Sequence, residues 1–154
     1  MTLIAQKLTT QLQIDELAIE LLESVIAESF KQQGIRSQAK PCTRNIHRDL
    51  AMATQKLLTT RYHEHLTLGQ IAAELFVSPY HLSRVFRQQV GCTLHHYLDQ
   101  LRLRIAHEQL GDYIHNINRL ALDLGYATHS HFTKAFRRNF GYPPSQSQHQ
   151  LGRK

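Results

Sequence analysis

Two stretches of this chain are versions of one another. IAAELFVSPYHLSRVFRQQVG, from Ile71 to Gly91, is echoed by LALDLGYATHSHFTKAFRRNFG, from Leu120 to Gly141. Ala72 and Leu75 correspond to Ala121 and Leu124 at a separation of 49, whereas His81, Phe86, Arg87 and Gly91 correspond to His131, Phe136, Arg137 and Gly141 at 50. The one-residue slip falls in the middle of each copy, where a turn absorbs it with least disturbance of packing. The chain is therefore expected to contain one supersecondary unit twice.

Local signals say what that unit is. The segment TLGQ at Thr67 has the form of a capping box and would begin a short helix with Ile71, Ala72 and Leu75 inward. Ser78 is a natural N-cap, Pro79 suits the first helical position, and Leu82, Val85 and Phe86 supply a buried face up to Gly91. In the second copy Phe132, Ala135 and Phe136 form the matching face, with Gly141 and the Pro143-Pro144 pair as stops. Opposite those faces run two polar stripes at i, i+3, i+4 and i+7: Tyr80, Ser83, Arg84 and Arg87, then Ser130, Thr133, Lys134 and Arg137. A short helix, a tight turn and a second helix with a polar outer face make a helix-turn-helix, whose second helix can enter the DNA major groove.

The rest of the chain reads as helix too. Thr93 can cap a joining helix whose stripe of Leu94, Tyr97, Leu98, Leu101, Ile105 and Leu110 makes it the longest element expected. Ile46, Leu50, Ala53 and Leu57 mark an earlier helix. Before it, Ile14, Leu17, Ala18, Leu21, Leu22, Val25, Ile26 and Phe30 recur at helical spacing, leaving Asp15, Glu16, Glu20, Glu23 and Glu28 mostly outside. Gly34, Ser37 and Pro41 break the pattern, so 34–43 is expected to be a linker. The fold class is all-α: two helix-turn-helix subdomains, about 67–91 and 117–141, joined by a linker helix at about 93–110, with an additional amino-terminal amphipathic helix.

Charge narrows the choice of partner. Residues 1–40 carry a net charge of −1 and residues 41–154 a net charge of +7, and no acidic residue follows Asp123. Such a bias favours a polyanion, most often nucleic acid. No apolar run approaches the roughly 20 residues that cross a bilayer, and no signal peptide is evident, so a cytoplasmic protein with no membrane partner is expected. Cys42 and Cys92 have no zinc or redox spacing and are read as free thiols. The histidine groups at 63–65, 95–96 and 129–131 lack ligand spacing, so no metal and no cofactor is expected, and no nucleophile and base are set for catalysis. A rival to DNA binding is an interaction module built on the amino-terminal helix, and specific, salt-dependent DNA binding separates the two.

Taken together, LGQIAAELFVSPYHLSRVFRQQVGCTLHHYLDQLRLRIAHEQL and INRLALDLGYATHSHFTKAFRRNFGYPPSQ resemble the AraC/XylS-type transcription regulators, including the Tyr97, Arg102, Ala106 and Leu110 pattern of the joining helix and the terminal Gly-x-x-Pro-Ser element. The resemblance covers about 44–148, the expected DNA-binding domain; 1–43 would be an amino-terminal helix and linker, a possible remnant of a regulatory or dimerisation domain, and 149–154 a tail. It implies a sequence-specific regulator, an activator in the first instance with repression by occlusion left open, that inserts two recognition helices into adjacent major-groove segments. Base contacts would fall to Tyr80, Ser83 and Arg84 and to His129, Ser130, Thr133 and Lys134, and phosphate contacts to Arg87, Arg137 and Arg138. Implied partners are double-stranded DNA and RNA polymerase, with a homodimer through the amino-terminal helix or a missing domain as an open alternative. Arg102 is a candidate for a salt bridge anchoring the subdomains. Tyr126 stands where the family usually has phenylalanine, and packs as well if its hydroxyl finds a partner.

Overall fold

The computed structural model describes residues 11–30, 41–113 and 116–146. Among them are seven helices of seven residues or more, further helical residues at 144–146, and no strand: α1 (Gln11–Phe30), α2 (Pro41–Thr60), α3 (Leu68–Glu74), α4 (Pro79–Val90), α5 (Leu94–Gln109), α6 (Ile117–Asp123) and α7 (His129–Phe140). None of the described helices is long and apolar enough to cross a membrane. At 16 residues α5 is shorter than α1 and α2, each of 20, so the joining helix is not the longest element. Most of the expected linker and the tail after 146 lie outside the described residues, although α2 already begins at Pro41.

The described residues fall into two compact units, the first comprising those up to Leu58 with Leu66–His96, the second Thr59–His65 with those from Tyr97 onward. In the first unit α3 starts on the expected capping box: Gln70 N–H donates to Thr67 Oγ1 at 3.1 Å, and Thr67 N–H to Gln70 Oε1 at 2.8 Å. Ser78 Oγ accepts from His81 N–H at 3.2 Å to start α4, and Gly91 ends it at φ 84 with its N–H on the Arg87 carbonyl. The core beneath holds Ala51, Leu57, Leu58, Leu66, Leu68, Ile71, Ala72, Leu82, Val85, Phe86 and Leu94. On α2 the buried face runs through Ala51, Thr54, Leu57 and Leu58, while Ile46 and Ala53 are exposed, contrary to the expected stripe. Thr54 can be buried because its hydroxyl donates to the Leu50 carbonyl at 2.7 Å, which leaves its methyl to pack.

A larger difference concerns α1. Its docked side carries Leu12, Glu16 and Ile19, whereas Ile14, Leu17, Leu21, Leu22 and Val25 are exposed. The carboxylate expected in water is inside, and the stripe expected inside is in water. The reason is hydrogen bonding. Leu94 and His95 N–H groups, at the start of α5, donate to the two Glu16 oxygens at 2.6 and 2.9 Å, and Leu68 N–H, at the start of α3, donates to Asp15 at 3.2 Å. Helix starts leave such donors unpaired, and a charged acceptor satisfies them well. The side chains of Ile26 and Phe30 lie outside the description.

In the second unit Asn116 caps α6 and Thr128 caps α7, and Gly141 ends α7 at φ 84 as Gly91 ends α4. Its core gathers Leu103, Ala106, Leu110, Leu120, Ala121, Leu124, Tyr126, Phe132, Ala135 and Phe136. The rings form a chain, with centroids of Tyr126 and Phe132 at 5.3 Å, Phe132 and Phe136 at 5.7 Å, and Phe136 and Phe140 at 4.5 Å. Offset and edge contacts of this kind add to the burial of apolar area.

Candidate nucleic-acid interface

The Ser78 cap and the apolar row of α4 turn the helix so that Tyr80, Arg84 and Arg87 reach the surface, Tyr80 half-buried and both arginines exposed. Ser83, between them on the same stripe, is only 7% exposed, too little surface for a base edge in this arrangement. Arg87 is engaged as well: its Nη1 forms an ion pair with Glu20 of α1. Among the described residues Arg84 carries no partner.

On α7, His129, Ser130, Lys134, Arg137 and Arg138 are exposed and Thr133 is half-buried. Thr133 Oγ1 lies 3.3 Å from His129 Nε2, one turn apart, which joins two of the expected base-reading groups into one. Lys134 and Arg137 carry no partner among the described residues. Arg138 donates to Asp99 Oδ2 at 3.2 Å yet stays 75% exposed, so it is tethered at one nitrogen and open to solvent elsewhere. Thus the stripe on α7 stands open along its length, whereas the stripe on α4 is partly covered.

Behind α7 lies a buried polar group that the sequence pattern conceals. Asp99 sits on α5 among apolar neighbours and accepts from Tyr126 Oη at 2.7 Å, which supplies the partner that the tyrosine at this position requires. Burial and the adjacent Asp99 carboxylate push the Tyr126 hydroxyl far above its ordinary range, so it remains a donor. Arg102, also buried, donates to the Tyr62 and Glu64 carbonyls at 2.6 and 2.9 Å and lies 5.7 Å over the Tyr126 ring. The expected salt bridge is thus replaced by two backbone carbonyls within one unit, because the segment 59–65 presents its peptide oxygens to α5. Desolvation lowers the Arg102 pKa.

The histidines pack. His81 meets His47 edge to face at 5.5 Å, and His131 meets Tyr126 in the same way at 5.5 Å. Burial, followed by the nearby arginines and Lys134, drives the His131 pKa down against the opposing pull of Asp99. No group of three or more His, Cys, Asp or Glu among the described residues is placed to hold a metal. Cys92 is a free thiol whose pKa burial raises; the Cys42 side chain lies outside the description. The groups that sequence reasoning missed are Asp99, Glu16 and Glu20. Only the opposite charge of the two parts of the chain hinted at the last two.

Comparison with known proteins finds the same type of domain. The helix-turn-helix domain family matches residues 71–150. The regulatory protein SoxS of Salmonella typhimurium is 30% identical over 105 residues, covering 68% of this chain and 98% of SoxS. The transcriptional regulator ArgR of Pseudomonas aeruginosa is 28% identical over 137 residues, 88% of this chain but 41% of that relative, so the chain spans less than half of ArgR. Among solved structures, the C-terminal domain of AraT, a response regulator from Geobacillus stearothermophilus, superposes with a TM-score of 0.62 at 28% identity, over 74% of this chain and 88% of that one.

Proposed function

The chain belongs to the AraC-type helix-turn-helix family of DNA-binding transcription regulators, and from that premise we propose that it activates transcription by inserting α4 and α7 into adjacent major-groove segments. The observation that carries this reading is the pair of polar stripes at matching positions, Tyr80, Ser83, Arg84 and Arg87 against Ser130, Thr133, Lys134 and Arg137, each opposite a buried apolar row. Arg84 suits a bidentate pair with guanine O6 and N7, and Lys134 reaches the same acceptors without the planar fork. Tyr80 stands beside Arg84 on the α4 stripe, Ser130 and the His129–Thr133 pair stand beside Lys134 on α7, and the Thr133 methyl suits a thymine methyl. Arg87, Arg137 and Arg138, further along each helix, fit phosphates and so set register without reading sequence.

The DNA-binding part is taken as 44–148, wider at its start than the matched 71–150, and activation requires contact with RNA polymerase. The exposed row of Ile14, Leu17, Leu21 and Val25 on α1, at three- and four-residue spacing, supports a second copy of the chain as the partner of that helix. The place of action is the cytoplasm, at the nucleoid when the protein is bound to DNA. No catalysis is assigned.

Selection from a random duplex pool tests the reading, followed by affinity for the enriched sequence at two salt concentrations. The expected result is two short blocks about one helical turn apart, one lost on Arg84→Ala and the other on Lys134→Ala. Binding that ignores sequence and vanishes with salt would instead mark a basic helical module without reading ability.

A further inference from the structure

The stripe on α7 is open, the matching stripe on α4 is partly covered, and α1 packs against α3 and α4. We propose that α1 is a clasp over the first reading unit, whose Glu20 holds Arg87 in place of a DNA phosphate and yields it when DNA arrives. The proposal rests on the reading of α4 as a DNA-contacting helix.

Three observations carry it. First, Glu20 pairs with the one cation of the α4 stripe that lies where phosphate contacts are expected, whereas Arg137, its counterpart on α7, has no such acidic partner among the described residues. Second, Ser83 is 7% exposed, while Thr133, at the equivalent place on α7, is half-buried and open to a ligand. Third, α1 is fastened by anionic contacts: Asp15 on the Leu68 amide and Glu16 on the Leu94 and His95 amides, with Leu12 and Ile19 packed beside them. A carboxylate on a backbone amide or an arginine makes the same kind of bond as a phosphate oxygen, so DNA competes for like with like.

The strengths suit release. The Glu20–Arg87 pair is exposed on both sides, 37% and 52%, and exposed pairs are weak and screened by salt. Glu16 is buried at a cost that pushes its pKa up despite the amides that stabilise its charge. A duplex offers a row of phosphates to the same face.

The test is a double-mutant cycle in the full chain, read as affinity for the selected duplex. Glu20→Gln is expected to tighten binding by about two- to fivefold, the range of an exposed ion pair, and Arg87→Ala to weaken it. With Arg87→Ala present, Glu20→Gln should have no further effect. Leu12→Ala, which loosens α1 without changing charge, should tighten binding in the same direction. Tightening by Glu20→Gln that persists without Arg87 would be a long-range charge effect and would overturn the clasp. Weaker binding by Leu12→Ala would overturn it too, since α1 would then brace the unit. If no duplex is enriched, or Lys134→Ala leaves the selected duplex bound as before, the DNA reading itself has failed rather than the clasp.

Discussion

Val77 N–H reaches the Ala72 carbonyl at 3.0 Å in the first helix-turn-helix, and Tyr126 N–H reaches the Ala121 carbonyl at 2.9 Å in the second. One residue earlier, Phe76 has φ 56 and Gly125 has φ 79, both in the left-handed region. The turns share one backbone, yet one places a phenylalanine 95% exposed where the other requires glycine. The cause is what stands opposite. A Cβ on Gly125 would lie 2.5 Å from the His63 carbonyl oxygen and 2.7 Å from an Arg102 nitrogen, whereas the side chain of Phe76 extends into solvent. A shared conformation therefore does not fix a shared residue; the neighbours decide whether the left-handed site is closed to side chains or merely costly, by about 1–2 kcal/mol. The cores differ in the same spirit, the second built on linked rings beside a buried Asp99, the first on aliphatic residues with one ring, Phe86, closed by carboxylates from α1.

The hardest way to break the comparison is Gly125→Ala, which combines left-handed strain with a backbone clash and should destabilise the second unit by about 3 kcal/mol or more. Amide exchange resolved by residue would show the loss in α6 and α7 before α3 and α4. A loss below 1 kcal/mol would mean that the segment 59–65 gives way easily.

Next in size are the readers. Arg84→Ala should cost about 1–3 kcal/mol of discrimination at its base pair, and Lys134→Ala less, because an ammonium lacks the paired donors. Competition binding with single-base variants of the selected duplex measures both. Equal losses would show that the open α7 stripe compensates for its weaker chemistry.

Phe76→Gly should make the first turn resemble the second and stabilise the first unit by about 0.5 kcal/mol, since relief of strain exceeds the added freedom of the unfolded chain. Urea unfolding checks it. A marked loss of stability would mean that the exposed ring rests on something in solution.

The smallest effect is a divergence with pH. The folded pKa of His131 lies below its ordinary 6.5, so the unfolded chain binds more protons there and the second unit loses stability as pH falls through and below 6.5. For Glu16 the sign is opposite. Its folded pKa lies above its ordinary 4.5, so the folded form binds more protons and the docked α1 gains as pH falls toward 4.5. Exchange measured across that window should show protection moving from α7 toward α1, and His131→Gln should flatten the second slope.

Much of this was legible in the chain because it is local. Thr67, Ser78, Gly91 and Gly141 stop and start helices through atoms within four residues, so their signatures survive whatever packs around them. The repeat and the all-helical class followed from the same short-range pattern. The docked face of α1 was not legible, because apolar periodicity assumes that a helix buries its greasiest side, and here the helix-start amides of Leu68, Leu94 and His95 select the acidic one. The engaged state of Arg87 was hidden for the same reason: it depends on Glu20, 67 residues away along the chain. Arg102 offered a cation and no hint that carbonyls rather than carboxylates would meet it.

The short segment Thr59–His65 belongs to the second unit but is made before Leu66–His96 of the first. Those seven residues leave the ribosome before α3 and α4, and Arg102 and Gly125, which meet them, are made later still. The second reader is therefore not a cassette: cut out from Tyr97 onward and grafted elsewhere, it would lack the carbonyls that hold Arg102 and the wall against which Gly125 closes. Shuffling the unit as a block therefore requires carrying a piece of its predecessor with it.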